Sequence, residues 1–192
     1  HIFTIVKLLY DSIVFMNTIV AFLTHGVLNW PLSYLFIFVI ASALLTLLAV
    51  TCFLHRSQTH RSIILSPIVN HFFRLVLWFF TGMVTKEWVS VHRKHHALCD
   101  TESDPHSPRY YGLARVLFQG AELYRLAGKD KELLETYGQG TPDDWIERNI
   151  YTKHPAYGVG ITMAVEIILF GLPGIAIWAF QMLVVPVIAA GF

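Results

Sequence analysis

The stretch Ser33–Leu54 runs 22 residues without a charge. At about 1.5 Å per helical residue it is long enough to cross a hydrocarbon core of ~30 Å. Backbone polar groups have no partner in lipid, so such a segment is confined to a helix. Ala156–Phe192 is apolar throughout, with Glu166 as its single charge, and Gly171-Leu172-Pro173-Gly174 divides it with a helix-stopping turn. A weaker span is expected over Ile13–Leu28, with Lys7 and Asp11 just before it. Charged residues are 14% of the chain, against about a quarter in soluble domains. The pattern predicts one all-α integral membrane domain over residues 1–192. Its four transmembrane helices, at 13–28, 33–54, 156–171 and 174–192, pair into two hairpins. Residues 55–155 form a cytoplasmic or interfacial helical region between them.

Positive charge orients the arrangement. Thirteen of the fourteen Lys and Arg lie between Arg56 and Lys153, the other being Lys7, while Thr24–Pro31 and Gly171–Gly174 carry none. Lys and Arg accumulate on the cytoplasmic side, so the N-terminus and the central region are expected there. No basic, aromatic-interleaved stripe points to nucleic acid. Cys52 and Cys99 have no zinc-type spacing and read as free thiols of a reducing compartment. With no initiator Met and a C-terminus inside an apolar run at Gly191-Phe192, both ends read as cut. No signal-peptide cleavage pattern follows the first apolar segment.

The central region has its own punctuation. Ser66-Pro67 predicts an N-cap with proline at the first helical position. The helix it opens, to about Val84, is rich in Phe, Leu and Trp, with Asn70, His71, Arg74 and Thr81 toward one side. It is expected to lie in the interface, since crossing would separate the histidines before it from those after it. Lys86–Ala97 continues as a helix. Leu113–Leu134 reads as an amphipathic helix or helix pair, and Thr141 as the cap of a helix starting at Pro142.

Histidines concentrate at the edges of this region. His92, His95 and His96 stand at i, i+3 and i+4, so on a helix they share one face. His55 and His60 follow directly on the long apolar span. Neutral imidazole is the commonest side-chain metal ligand, and two such clusters at a membrane edge predict a metal site. Soluble di-iron bundles use Glu plus Glu-x-x-His pairs, and no Glu-x-x-His occurs here. Imidazole alone accepts zinc, copper or iron. Asp100, Glu102 and Asp104 could orient ligand imidazoles through their second ring nitrogen, the alternative being a solvated acidic loop. His106 reads as an organiser of that loop, His71 as interfacial, His25 as a turn residue and His154 as a headgroup anchor. Basic residues around Arg93, Arg109 and Arg115 could hold an anionic headgroup or merely mark the cytoplasmic side.

His55-x4-His60 and His92-x2-His95-His96 resemble the first two histidine boxes of the membrane fatty-acid desaturases. The flanks are similar too: Leu54-His55-Arg56, His60-Arg61, Glu87-Trp88 and Asp104-Pro105-His106. The closest likeness is to the acyl-CoA Δ9 (stearoyl-type) branch. Gly140–Asn149 resembles bacterial members, some of which act on acyl chains of phospholipids.

That resemblance implies five iron ligands, His55, His60, His92, His95 and His96, holding two non-haem irons. It implies Trp88 as a wall of the acyl channel. The implied reaction consumes O2 and removes two hydrogens from a saturated acyl chain of acyl-CoA or phospholipid, leaving a cis double bond. Its two electrons must come from outside, because the sequence has no haem motif, flavin fingerprint or cysteine cluster. A ferredoxin, rubredoxin or cytochrome b5-type donor is therefore expected at the cytoplasmic face, and the inner membrane is the location if the source is bacterial. The family's third box, His-x-x-His-His, follows the fourth span and does not occur in these residues, so this stretch is expected to be inactive alone. The alternatives are a membrane alkane or fatty-acyl hydroxylase on the same scaffold and, more distantly, a non-enzymatic haem- or metal-binding membrane protein.

Overall fold

The computed structural model describes residues 2–190, and every regular element among them is helical. The first helix, α1, covers Ile2–His25; α2, Leu32–Leu48, runs without a break into a π-helix, π1, Ala49–Thr59. Then come α3 (Pro67–Phe80), α4 (Thr85–Ala97), the single turn α5 (Pro108–Tyr111), α6 (Leu113–Ala127) and α7 (Lys131–Tyr137). A second π-helical segment, π2 (Glu147–Tyr151), leads into α8 (Pro155–Phe170) and α9 (Leu172–Ala190). The last two residues of the expected 174–192 span lie outside the described residues.

Two helices are long and apolar enough to cross a membrane, Phe3–His25 and Leu32–Thr59. The first begins ten residues before the expected Ile13, and takes Lys7 and Asp11 inside it. These opposite charges stand at i, i+4, and long side chains can reach along the helix toward water, so neither breaks it. The helices α8 and α9 are apolar but shorter, 16 and 19 residues. The pair α3–α4 bends by 94° across Thr81–Val84. At 14 and 13 residues, neither half alone reaches the ~20 residues that a bilayer core requires.

The two turns without positive charge meet. The Val27 N–H donates to the Ile168 carbonyl and the Leu28 N–H to that of Leu169, both at 3.0 Å. Gly26 (φ 62°) and Gly171 (φ 70°) both take left-handed backbone that favours glycine. A Cβ on Gly26 would collide with the Leu169–Phe170 backbone, and one on Gly171 with the carbonyls of Phe22 and Leu23. Trp30 and Phe38 close the joint against Phe170, with ring centroids at 5.6 and 5.0 Å.

At the other end, the core joins π1, α3 and α4. Ala49, Phe53 and Leu54 of π1 pack with Phe73, Val76 and Leu77 of α3 and with Val89 of α4. Each large side chain buried there contributes about 1.5–3 kcal/mol. Ser66 caps α3 as expected, accepting from the Val69 N–H, with Pro67 at the first position. The segment expected over Leu113–Leu134 is a helix pair that breaks at Gly128, with Asp130 capping the second member.

Two expectations about polar residues are corrected. Thr141 caps no helix; its hydroxyl donates to the Gly138 carbonyl. The cap belongs to Asp144, whose Oδ1 accepts from the Glu147 N–H at 2.9 Å. Arg93, read as a headgroup contact or a mere marker of the cytoplasmic side, serves as a clasp within the fold: its guanidinium donates to the carbonyls of Tyr137, Gln139 and Gln58 at 2.6–2.8 Å. Projecting away from the histidines of α4, it ties that helix to the end of π1. Arg74 also has a role that its place on α3 did not suggest. Its Nε donates to Glu147 at 2.9 Å and its Nη2 to Asp144 at 2.8 Å, so a buried ion pair fastens α3 to π2.

Candidate metal centre

The π register sets the first pair of imidazoles. In π1 the His60 N–H donates to the His55 carbonyl at 3.0 Å, an i→i+5 bond that stacks residues five apart. His55 and His60 thereby meet with their Nε2 atoms 3.1 Å apart. On α4, His92 and His96 stand one turn apart, and their Nε2 atoms also approach to 3.1 Å. The shared core and the Arg93 clasp bring the pairs together, with ring centroids 5.0 Å apart for His55–His92 and 4.7 Å for His60–His96. One ligating nitrogen from each of the four lies within 4.8 Å of all the others.

His95, at i+3 from His92, projects elsewhere. Its Nδ1 donates to Asp104, 2.9 Å from Oδ1 and 3.0 Å from Oδ2, which leaves Nε2 with the lone pair. Asp104 is 1% exposed. Besides His95 it accepts from the backbone N–H of Asp100 at 3.0 Å and of His106 at 2.9 Å. This aspartate is thus the hub of the loop, and its hydrogen bonds hold its carboxyl below the usual range against the opposing effect of burial. Asp100 does not touch a histidine; it accepts from the Ser107 hydroxyl at 2.9 Å. Glu102 is exposed to solvent.

Burial and the neighbouring imidazoles lower His92 and His96 and so favour their neutral forms. Burial, reinforced by the neighbouring imidazoles, pulls His92 down to about 3. His96 is lowered by burial and by His60 and His95. His106 is lowered mainly by burial, and its Nε2 is buried without a partner. Its ring stands edge-on to His95 at 5.9 Å, so it reaches the site as well as shaping the loop.

Imidazoles with converging Nε2 atoms suit a transition-metal cation. For metal–nitrogen bonds of ~2.1 Å, nitrogens on neighbouring corners of a coordination sphere lie roughly 3.0–3.4 Å apart. The 3.1 Å separation in each pair falls in that interval. That separation is one which a ring proton or a cation can bridge, and the all-nitrogen donor set fits a bound transition metal.

The imidazoles line one wall of a cavity of about 870 Å³. His55, His92, His95 and His106 meet apolar side chains there, including Leu47, Val50, Val116 and Met182. Trp88 is part of the wall and stacks on His92 at 4.6 Å with 22° between the planes. On its other side comes Tyr124 from α6, at 5.8 Å and 26°. The Tyr124 hydroxyl lies 3.1 Å from His92 Nδ1, and burial raises its phenol above the ordinary range. Sequence reasoning missed Tyr124 and the ring of His106. Asp-Pro-His after the second box was a signal for His106, whereas no local pattern singled out Tyr124.

Comparison with known proteins bears on the same stretch. The family model described as fatty acid desaturase matches residues 28–192. A probable chloroplastic lipid desaturase of Arabidopsis thaliana is 32% identical over 209 aligned positions, covering 87% of this chain and 57% of the relative. The Delta-9 desaturase-like 2 protein of the same plant is 40% identical over 73 residues, 38% of this chain and 24% of the relative. An acyl-CoA 5-desaturase of Anemone leveillei is 44% identical over 54 residues, 28% and 17% of the two chains. The chain thus spans less than two thirds of each of these relatives. No solved structure matches it. Because the family match takes in both histidine pairs, the cavity and the apolar helices around them, this chain belongs to the fatty acid desaturase family.

Proposed function

We propose that the chain carries the metal-binding and acyl-binding core of an O2-dependent fatty acyl desaturase that introduces a cis double bond, at the Δ9 position, into a saturated chain. The observation that carries this reading is the convergence of four imidazoles, two of which, His55 and His92, also line an apolar cavity. A volume of about 870 Å³ lies within the ~300–1,000 Å³ of small-molecule pockets. Two irons bound at the histidines would supply the oxygen-dependent, two-electron chemistry that removes hydrogen from an unactivated methylene.

The residues of the chain then have distinct tasks. His55, His60, His92 and His96 gather ligand nitrogens at one point, and His95 offers Nε2 beside them while Asp104 holds its ring. Trp88 and the aliphatic wall keep the acyl chain straight against the imidazoles and keep water out. The four apolar helices, two hairpins meeting at their turns, put the boxes on the cytoplasmic face, where an electron donor of ferredoxin, rubredoxin or cytochrome b5 type reaches them. Of the relatives, the one aligned over most of the chain is named a lipid desaturase, and another an acyl-CoA desaturase. Both an acyl chain of a phospholipid and acyl-CoA are therefore substrates to test.

The test is expression of the full-length protein in a host, with total fatty acids analysed by gas chromatography–mass spectrometry beside His95→Ala. A cis-monounsaturated chain absent from the variant is the expected result, and its fragmentation gives the bond position. Hydroxylated chains would transfer the protein to the hydroxylase reading. Well-expressed protein with neither new lipid nor bound iron would refute the proposal.

A further inference from the structure

Every imidazole that offers Nε2 to a metal must carry its proton on Nδ1, and that N–H needs an acceptor to fix the ring. For His95 the acceptor is the Asp104 carboxylate. Among the described residues no carboxylate accepts from His92. Its Nδ1 faces the hydroxyl of Tyr124 at 3.1 Å, supplied by a helix 32 residues further along the chain.

The surroundings of Tyr124 leave that hydroxyl little freedom. Leu123 and Val116 are buried at 5% and 3% exposure and seat α6. The Tyr124 ring lies nearly parallel to Trp88 at 5.8 Å, and Trp88 nearly parallel to His92 at 4.6 Å. His106 stands across the tyrosine at 5.1 Å and 73°. Stacking therefore sets the plane of His92 and the hydroxyl sets its rotation about the ring axis. Together they aim Nε2 at His96, 3.1 Å away.

We propose that Tyr124 is the positioning residue of this centre: it accepts the His92 Nδ1–H and holds the tautomer in which Nε2 is the metal-binding atom. The assignment rests on the metal-centre reading above and extends it to a residue outside both histidine boxes. It also makes the two anchored imidazoles unequal. His95 leans on a carboxylate, whereas His92 leans on a neutral phenol. Tyr124 lines the cavity as well, so α6 couples the acyl-binding wall to the metal-binding helix through one side chain.

Tyr124→Phe keeps the ring and its stacking and removes only the acceptor. The full-length protein and this variant would be loaded with iron(II), and retention measured against a competing chelator. Co(II)-loaded samples would report the ligand field through visible absorption. Loss of such a partner weakens metal binding roughly 10–100-fold, so a loss of that size and an altered Co(II) spectrum are expected, with metal-free melting lowered only by what one hydrogen bond contributes. In a His92→Ala background the same substitution should cost less than about twofold, since the imidazole it serves is gone. Tyr124→Phe within about twofold of wild type, or an equal loss with and without His92, overturns the assignment. Wild-type protein that binds neither metal would sink the metal-centre reading and the role of Tyr124 with it. That outcome is distinct from a wild type that binds iron and a Tyr124→Phe variant that binds it equally well.

Discussion

Replacing Arg74 by methionine removes the one cation between α3 and π2, and the structure fixes how unequally its two partners should respond. The Arg74 side chain is 5% exposed, Glu147 is 4% and Asp144 is 51%. Without the guanidinium the Glu147 carboxylate is left in the interior, where its Oε1 already lacks a partner. Breaking a buried pair in this one-sided way costs about 3–5 kcal/mol. Asp144 can turn to water, so its charge is worth about 0.2–1 kcal/mol. Asp144→Asn keeps a side chain able to cap the Glu147 N–H and should cost no more than that. Removing both buried partners, as in Arg74→Met with Glu147→Leu, takes away the stranded charge and should recover most of the loss. Equilibrium unfolding in mixed micelles of dodecyl maltoside and SDS, followed by tryptophan fluorescence, reads all four proteins, and Trp78 on α3 is a reporter next to the site. An Arg74→Met loss below about 1 kcal/mol, or a double variant no more stable than Arg74→Met alone, would refute the argument.

Two further outcomes follow from the metal centre. Asp104→Asn puts an amide where three donors converge, so at least one N–H loses its acceptor; iron affinity should fall roughly 10–100-fold and stability by about 1–3 kcal/mol. Glu102→Gln, in the same loop but solvent-exposed, should stay within about 0.5 kcal/mol and leave iron binding unchanged, and equal effects from the two would remove the distinction drawn between them. The pH dependence has a definite sign. His92 is held neutral in the fold down to about 3, whereas the unfolded chain protonates it below ~6.5, so the unfolded state binds more protons throughout that window. Stability of the metal-free protein should therefore decline as pH falls from about 6.5 toward 3, by up to ~1.4 kcal/mol per unit for this residue. His92→Gln should flatten the slope in a denaturant titration repeated across that range, and an unchanged slope would count against a buried, neutral His92.

What could be read in the sequence was what repeats at short range. The i, i+3, i+4 spacing of His92, His95 and His96 is a helical signature, as is Ser66-Pro67 before α3, and the apolar run before His55 is long enough to cross a membrane as a helix. The first histidine pair was visible as a motif yet not as geometry. On an α-helix, residues five apart are rotated by about 140° from one another, so His55 and His60 would face different ways. Only the i→i+5 register closes them to 3.1 Å, and no residue in Ala49–Thr59 announces that register. The partners that complete the site lie still further beyond local pattern. Gln58 is 35 residues from the Arg93 that fastens the two box helices, Tyr124 is 32 from His92, and Asp144 and Glu147 are 70 and 73 from Arg74. Such pairs depend on how whole helices cross, which the pattern within each helix does not encode.

These distances also explain why the proposed metal-binding surface of histidines needs so large a helical frame. In each pair the Nε2 atoms stand 3.1 Å apart, a separation that a ring proton or a cation can bridge, and nothing in box one alone would bring His55 and His60 against α4. The constraints come from elsewhere: the fully buried Ala49, Phe53, Leu54 and Val89, the Arg93 clasp, and the acceptors at the far side of His92 and His95. If the frame brings the imidazoles together, a cation that binds them finds its donors already in place. Iron should then stabilise the protein by more than loop ordering alone supplies, and the gain should shrink in any variant that loosens π1 against α4. Arg93→Met is the direct test, since it cuts the tie at Gln58 while leaving every histidine in place. Its melting temperature with saturating iron should rise less above the metal-free value than wild type does; an equal rise in both proteins would mean that the histidines organise themselves and the frame is incidental.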